Sequence, residues 1–570
     1  MTELEVNSGE TAGDHGEVAP GHSGSAPKVD SGAQPVVALE IESKFRVHGL
    51  FRVPDLTAAC PGLRVVNGGI RQLQAVYLDT ADLRLARDKI TLRRRTGGPD
   101  EGWHVKLPVA GAALGTRHEI RLPLESPPEQ HGEPEQHGLT VPPQLSHLVV
   151  AYTRFEPLVP VAALHTERSV QLVLDGADRV LAEVTDDRVN VLDVDSGRVV
   201  AMFREVELER GSDRGLDPEE TDQALLLVSD ALLAAGAVAG GFASKVARAL
   251  GPLAAQPGDV AESEPASPES TAGAALTAHL RRHVKALRTQ DLRVRLDAPD
   301  SIHQMRVAAR RLRSGLKVFR SLVDPEWADQ LRDELGWIAA VLGEVRDREV
   351  LLARLEAELD ELPKLGVDPE PARAAVRADL VTGLATARVQ VLAELDTDRY
   401  RAMIDALVDG ANRPRTNESA EQPANSALTP LVRKAWRTLA RDVALLEMDG
   451  HDDEWHEARI VAKRLRYAVD ACVPVFGDSA RDLAEAGSQV TELLGEHQDA
   501  AIAAETVQRI ALALGERAVA ERAVAGFAAA GFALGVLHQR QRTAVVRART
   551  EFLALWPGVS KPHRRRWLKD

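Results

Sequence analysis

Cysteine is nearly missing from this sequence: 570 residues hold two, Cys60 and Cys472. They lie far apart and without metal-ligand spacing, which excludes a disulfide framework and fits a reducing compartment. Aromatic residues are only 4%, which argues against a surface on which single-stranded bases stack. No long uninterrupted apolar run reads as membrane-spanning. A basic excess is missing too. Lys and Arg number 70 against 85 Asp and Glu, a formal charge of -15, so the molecule as a whole is not a polycation that seeks nucleic acid. What is present is ordinary globular composition, 44% hydrophobic and 27% charged, in a chain long enough for about two to four domains.

Low-complexity stretches divide the chain. Residues 1–36 are polar, rich in Gly, Ser, Glu and Asp, and lack the apolar core of a signal peptide, so a disordered tail is expected there. Residues 127–143 repeat PEQHG and read as a solvated surface loop. Residues 251–273, rich in Ala, Pro, Glu and Ser, read as an interdomain linker. The basic end, 558–570, reads as a disordered tail with nonspecific anion contacts. Either side of the linker the period differs. Over 37–250 short β-branched runs alternate with Gly, Pro and Asp, predicting a strand-rich domain closed by a helix over 217–235. Over 274–557 apolar residues recur three and four apart, predicting an all-helical domain.

The helical domain repeats itself. Residues 301–320 read SIHQMRVAARRLRSGLKVFR and residues 454–473 read EWHEARIVAKRLRYAVDACV. Downstream, VLGEVRDREV at 341–350 matches LLGEHQDAAI at 493–502. His303 precedes Asp347 by 44 positions and His456 precedes Asp499 by 43. Two features at nearly equal separation imply two half-domains, about 274–400 and 425–557, related by a pseudo-twofold.

Successive strand side chains point to opposite faces. Glu40, Glu42 and Lys44 therefore share one face, against Leu39, Ile41 and Phe45 on the other. Arg93 and Arg95 share a face, as do His104 and Lys106, then Arg117, Glu119 and Arg121, then Glu205, Glu207 and Glu209. A sheet with one wet side accounts for any single strand. Four or more such strands are better explained by a closed barrel with a charged lumen. Mixed signs in that lumen suit phosphate: Arg and Lys neutralise its oxygens, and paired carboxylates hold Mg2+ or Mn2+ that bridges to them.

These residues resemble a known family. Glu40-x-Glu42-x-Lys44 is similar to the ExExK signature of the CYTH, or triphosphate tunnel metalloenzyme, family. The likeness continues in order through LRRR at 92–95, WHVKLP at 103–108, Arg168, AEVTDDRV at 182–189, EVELE at 205–209 and SK at 244–245. It implies an antiparallel eight-stranded β-barrel tunnel that hydrolyses triphosphate with a divalent metal. By position, Glu40, Glu42, Asp187, Glu205 and Glu207 would act at the metal, and Glu40, Glu42 and Lys44 would carry catalysis. Lys44, Arg93, Arg95, Lys106, Arg168 and Lys245 would grip phosphates. Asp187 is chosen on its strand because it shares a face with Glu183 and Thr185; the Asp186-Asp187 doublet leaves that register open, and Glu209 replaces Glu205 if its strand is shifted by two. No His or Ser nucleophile is needed, because a metal-bound or carboxylate-positioned water can attack.

On the helix of His303 the apolar residues Ile302, Met305, Ala309, Leu312, Leu316 and Phe319 form a core stripe. One residue later runs a basic stripe, His303, Arg306, Arg310, Arg313, Lys317 and Arg320, about 100° around the helix. Trp455, Ala458, Ala462, Leu465 and Val469 repeat the core stripe, and His456, Arg459, Lys463 and Arg466 the basic one. From His279 to Arg320 there are 12 Lys and Arg against 3 Asp and Glu, a local +9. A solvated face explains one stripe; two duplicated stripes point to an anion cradle. The helices lack base-reading Asn or Gln, so no specific nucleic acid is expected. His303 and His456 have no second His or Cys at ligand spacing on their helices, against a metal site there.

The duplicated His-Arg helices with LGEVRD and LGEHQD resemble the CHAD family. That resemblance implies binding of inorganic polyphosphate, with His303, Arg306, Arg310, Arg313, His456, Arg459, Lys463 and Arg466 as candidate ligands. The expected whole is an α+β multidomain protein. Its barrel is an inorganic triphosphatase and its all-α part anchors polyphosphate, in the cytoplasm or at polyphosphate granules, with no membrane partner; a homodimer stays open. Two other readings stay open: another tunnel activity, such as adenylate cyclase or thiamine triphosphatase, and a non-catalytic polyphosphate-binding protein.

Overall fold

A computed structural model describes residues 35–109, 115–124, 139–213, 215–264, 266–521 and 524–568. Residues 1–34 of the expected tail and both PEQHG copies lie outside the described residues. The strand-rich half is a closed antiparallel ring. Its strands are β1 (Val36–Arg46), β2 (Arg64–Asp79), β3 (Thr91–Thr96), β4 (Gly102–Pro108), β5 (Thr116–Leu122), β6 (Val159–Leu174), β7 (Val180–Leu192) and β8 (Val199–Arg210). The order around the ring is β1-β5-β4-β3-β2-β6-β7-β8 and back to β1. Closure rests on β1 changing partners halfway. Val36 to Ile41 pair with β5, and Glu42 to Arg46 pair with β8. Gly115 makes the switch possible. The Glu42 amide donates to its carbonyl at 3.2 Å, and its φ is +94°. A Cβ there would sit 1.9 Å from the Glu42 carbonyl oxygen, so only glycine fits.

The alternation read from sequence now has a physical cause. Phe45, Val184, Val206 and Leu208 point outward and bury against Ala224, Val228 and Leu232 of the helix Pro218–Ala234. That helix is capped by Asp217, which accepts from the Glu219 and Glu220 amides. The alternate residues have only the lumen to face. A two-residue strand β9, Val238–Ala239, pairs with the end of β1 and leads to the short helix Lys245–Leu250.

The helical half runs Ala272–Arg295, Ser301–Val318, Pro325–Glu361, Glu370–Leu395 and Asp398–Asn412, then Ala424–Val443, Asp452–Phe476, Asp478–Glu521 and Val524–Val559. Both expected core stripes are buried, and they meet in one apolar core that spans both halves. Among the described residues no helix is long and apolar enough to cross a membrane.

Two expectations are corrected. The basic end is not a disordered tail. Residues Pro562–Leu568 form a 3-10 segment; Leu568 is buried, the Arg564 guanidinium donates to the Asp482 carbonyl at 3.1 Å, and Arg565 lies 4.2 Å over the Trp436 ring. The stretch 251–273 is not a free linker either. Val260 enters the helical core, and the Ala261 amide donates to Asn412 Oδ1 at 3.1 Å. The two halves are joined by Arg288, 1% exposed, which donates to the Ala151 carbonyl at 2.9 Å and to Asp88 at 2.8 Å while covering the Tyr152 ring at 4.5 Å. Leu292 of the same helix enters the barrel's apolar cluster. Such burial cannot come from composition, which shows Pro and Ser but not what packs on them.

Candidate functional site

The lumen holds a cavity of about 270 Å³ lined mostly by charged side chains. Strands β3 to β5 contribute Arg93, Arg95, Lys106, Arg117 and Arg121, with Glu119 among them; β1, β7 and β8 contribute Glu40, Glu42, Glu183, Glu207 and Glu209, with Arg210 at the end of β8. Lys44, Arg168 and Lys245 stand among the carboxylates. The strand register sorts those carboxylates into levels. Glu42, Glu209 and Glu183 are direct cross-strand partners on β1, β8 and β7. One level along are Lys44, Glu207 and Thr185, and Glu205, Asp187 and Arg168 follow on β8, β7 and β6.

Two carboxylate groups result, where the sequence reading had one set of five. Asp187, Glu205 and Glu207 surround the Lys245 ammonium at 3.0, 3.0 and 2.6 Å. Lys44 also donates to Glu207 at 2.6 Å, and Arg168 grips Asp187 with two hydrogen bonds of 2.8 and 2.7 Å. Burial works to raise the Glu207 carboxyl, but Lys245, Lys44 and Arg168 overcome it and hold the group well below the usual carboxylate range. Glu40 lies apart from this cluster, and Glu42 meets it through Lys44, whose ammonium stands 3.3 Å from Glu42 Oε1. Glu40 Oε1 accepts from Lys106 at 2.5 Å, while Glu40 Oε2 is buried with no hydrogen-bond partner. Burial and the neighbours Glu40, Glu183 and Glu42 push Glu209 up to about 7, with Lys106 opposing. Among the described residues no three Asp, Glu, His or Cys converge tightly enough to hold a metal ion as they stand.

The open registers are decided. Asp187 faces the lumen, fully buried, and Asp186 turns outward to a two-bond pair with Arg204. Glu209 joins Glu42 and Glu183 at one level, and Glu205 goes to Lys245 and Arg248. Sequence reading missed Glu183 as a site residue, although the period-two series Glu183, Thr185, Asp187 pointed to it. It also missed Tyr77, whose hydroxyl accepts from Arg93 at 3.2 Å; no sequence signal marks that residue. His104 is a wall strut, with ring nitrogens 2.9 Å from Glu119 Oε1 and the Asp100 carbonyl. Arg95, the deepest cation, pairs with Asp100 and is brought down to about 9 by burial, then by Arg93 and Arg168.

In the helical half the two basic stripes face each other. Burial, then Arg306, Arg459 and Arg466, bring Arg310 down to about 10. Burial, then Arg459, Arg310 and Arg306, bring Lys463 down to about 7. Positive charge from both halves is thus compressed between two helices. The downstream motifs explain themselves here. Asp347 lies 3.2 Å from Arg306, and its duplicate Asp499 lies 3.9 Å from Arg459. Gly343 and Gly495 lie beside these two arginines, and a Cβ would come to ordinary contact distance, 3.4 Å from Arg306 and 3.7 Å from Arg459. Both of these arginines keep a buried Nε without a partner. His456 is hydrogen-bonded to Gln498 at 2.6 Å, and His303 is brought down by burial and then by Arg346. Arg313 packs against Gly336.

Comparison with known proteins matches residues 38–234 to the CYTH domain and residues 278–508 to the CHAD domain. An uncharacterized protein of Mycobacterium tuberculosis is 35% identical over 500 residues, which is 84% of this chain and 90% of the relative. Among solved structures, the chain is similar to PptA from Streptomyces chartreusis, at 25% identity over 50% of this chain and 100% of that one, with a TM-score of 0.41. A second is the CHAD domain from the plant Ricinus communis, at 25% identity over 51% and 96%, with a TM-score of 0.40. A third is a putative adenylyl cyclase from Hippeastrum, described as having a dominant triphosphatase activity, at 16% identity over 38% and 98%, with a TM-score of 0.24.

Proposed function

This chain belongs to the proteins that carry a CYTH domain followed by a CHAD domain, and from that premise we propose that its tunnel hydrolyses inorganic triphosphate with Mg2+ or Mn2+ while its helical half binds inorganic polyphosphate. The observation that carries the reading is the lumen's uneven charge: five of the six charged residues that β3 to β5 turn to the cavity are cations, and most of the carboxylates stand on β1, β7 and β8. A phosphate chain needs both walls: one to neutralise its oxygens, the other for the counter-cation. Phosphoryl transfer asks the protein for little beyond such positioning and charge stabilisation.

The residues fit a hard divalent cation. Glu40 keeps an orphaned buried oxygen, and Glu209 is crowded by Glu40, Glu183 and Glu42. Oxygen ligands with unbalanced negative charge are what Mg2+ and Mn2+ take. Glu40, Glu42, Glu183 and Glu209 would hold it. Once bound, the cation neutralises phosphate charge and lowers the pKa of a coordinated water. The protein's own cations do the remaining work. Arg93, Arg95 and Lys106 receive the phosphate chain from one wall, and Lys44, Arg168 and Lys245 from the other. Asp187, Glu205 and Glu207 hold these last three cations in place. A bare phosphate chain is preferred to a nucleotide or thiamine ester, because the lining offers Tyr77 as its aromatic ring and Arg93 already uses that hydroxyl. Phosphate release from tripolyphosphate, ATP and thiamine triphosphate, each with Mg2+ or Mn2+, tests this. Fast turnover of tripolyphosphate alone supports it, and no turnover of any of the three sinks it.

A further inference from the structure

The barrel fixes one end of its β2–β3 turn by itself and leaves the other end to the helical half. Asp79 holds the first end. It is 3% exposed; its Oδ1 accepts from the Thr80 and Leu85 amides at 2.7 and 2.9 Å, and its Oδ2 accepts from the Ala86 amide at 2.8 Å. The second end, Asp88 to Thr91, has no such centre within the barrel. Among the described residues the Asp88 carboxylate accepts from Arg288 of the helix Ala272–Arg295, at 2.8 Å, and from no side chain of the barrel. From these contacts we infer that Arg288 is a positioning residue for the tunnel: through Asp88 it sets the phosphate-gripping wall on β3 and β4, so that substrate binding in the barrel depends on the docked helical half, a dependence that rests on the tunnel reading proposed above.

The turn is strained and needs holding. Leu83 and Lys89 have φ of +60° and +63°, which residues other than glycine adopt at a cost and keep only where neighbours fix them. Lys89 separates Asp88 from the strand. Two residues on, Thr91 opens β3, lines the cavity and is the cross-strand partner of Lys106 on β4. Arg93 follows on the same face, opposite His104. A shift at Asp88 therefore passes along one short strand into the positions of Arg93 and Lys106, two of the cations proposed to receive the phosphate chain.

The stretch between the domains closes the clamp from the other side. Arg87 Nε donates to the Pro257 carbonyl at 2.7 Å, and a Cβ on Gly258 would meet Asp88 Oδ1 at 2.3 Å. The carboxylate cannot swing aside to admit it without leaving Arg288. Arg288 is itself directed at the barrel: 1% exposed, it donates from Nε to the Ala151 carbonyl at 2.9 Å and covers the Tyr152 ring at 4.5 Å. A buried ion pair is a poor way to hold two domains together, since desolvation offsets most of the attraction. Leu292, one turn on, already supplies apolar contact. What the pair adds is a single fixed geometry. The neighbouring contact differs. Arg154 meets Asp259, Asp405 and Asp409 at 3.2, 3.5 and 3.3 Å, and so joins the two halves without an ion pair to the turn.

The test compares tripolyphosphate turnover with Mg2+ in variants of the full chain. Arg288→Met should raise KM about tenfold or more with a smaller change in kcat, since the carboxylates on β1, β7 and β8 are untouched. Gly258→Ala should do the same from the other side of Asp88, and Arg288→Lys, which keeps a cation there, should recover part of the loss. Arg154→Met should keep the parent KM. A merely structural contact would lower the folded fraction, and with it kcat, but leave KM alone; melting curves give that fraction. Parent-like KM in both Arg288→Met and Gly258→Ala, or an equal rise in Arg154→Met, would overturn the inference. If the parent releases no phosphate, the hydrolytic reading fails by itself. Calorimetric affinity for tripolyphosphate, in chains that also carry Arg306→Glu and Arg459→Glu to silence the stripes, then decides the positioning role. An Arg288→Met affinity about tenfold weaker supports it, and equal affinities, or no binding without that substitution, overturn it.

Discussion

Replacing Lys245 by methionine keeps the aliphatic stem and removes one ammonium from the centre of Asp187, Glu205 and Glu207. All three carboxylates are buried. Breaking a buried ion pair by removing one partner costs about 3–5 kcal/mol. Lys44 and Arg168 still contact Glu207, and Arg168 still grips Asp187, so the low end applies, about 3 kcal/mol. For a barrel of this size that lowers the melting midpoint by about 6–12 °C. The pH dependence has a definite sign. Burial raises Asp187 and Glu207, Lys245 is the largest opposing charge, and both end below their ordinary values. Their stabilisation is present above the unfolded carboxylate range and is lost as pH falls through the folded values. Lys245 is raised despite burial, so its own stabilisation is complete at neutral pH and lost only in strong base. Without Lys245 the two carboxyls rise and can protonate in mild acid. The deficit should therefore be largest near pH 8 and shrink toward pH 5. Mg2+ should raise the variant's midpoint more than the parent's, because the vacated carboxylates then accept a cation. Thermal unfolding followed by circular dichroism at several pH values, with and without Mg2+, reads all of this. A deficit independent of pH would refute the electrostatic account and leave lost packing as the cause.

Glu40→Gln or Glu42→Gln should abolish tripolyphosphate hydrolysis while the melting midpoint stays within a few degrees, since each amide keeps the shape but loses charge for the cation; unchanged turnover at saturating Mg2+ removes that residue from the site. Charge reversal of Arg306 and Arg310, or of Arg459 and Lys463, should leave partial binding of labelled polyphosphate, and reversal in both halves should leave little, with a flatter salt dependence. Parent-like binding by the combined variant at two salt concentrations would make the stripes mere solvated faces. Lys463, brought down to about 7 by burial and three arginines, loses its charge as pH rises through neutrality. Polyphosphate affinity should fall from about pH 6 to about pH 8, and Lys463→Arg should flatten that step; an equally steep profile in the variant assigns it elsewhere.

Much of the architecture was legible from local sequence. The period of two along Val36–Arg46 and Val199–Arg210 announced faces that the barrel turns inward. The duplicated stripes named both buried helix faces and the facing arginines, because a helix presents its i, i+3 and i+4 residues together whatever surrounds it. Period two also favoured Asp187 over Asp186, because Asp187 shares a face with Glu183 and Thr185, and it is Asp187 that faces the lumen. Partners across the chain were not legible. The five expected metal residues divide into two groups because β1 pairs with β5 along one half and β8 along the other, and because Lys245 returns from a later helix into the lumen. The basic end folds onto Trp436 and Asp482, and the stretch 251–273 is pinned by Asn412, over separations at which no local period operates. Which faces are charged and which are apolar follows from backbone geometry residue by residue, and so could be read along the chain. Which charges neutralise one another and which are left for a ligand emerged with the folded barrel. That balance depends on distance through space and on burial, and both are set by contacts remote in the chain.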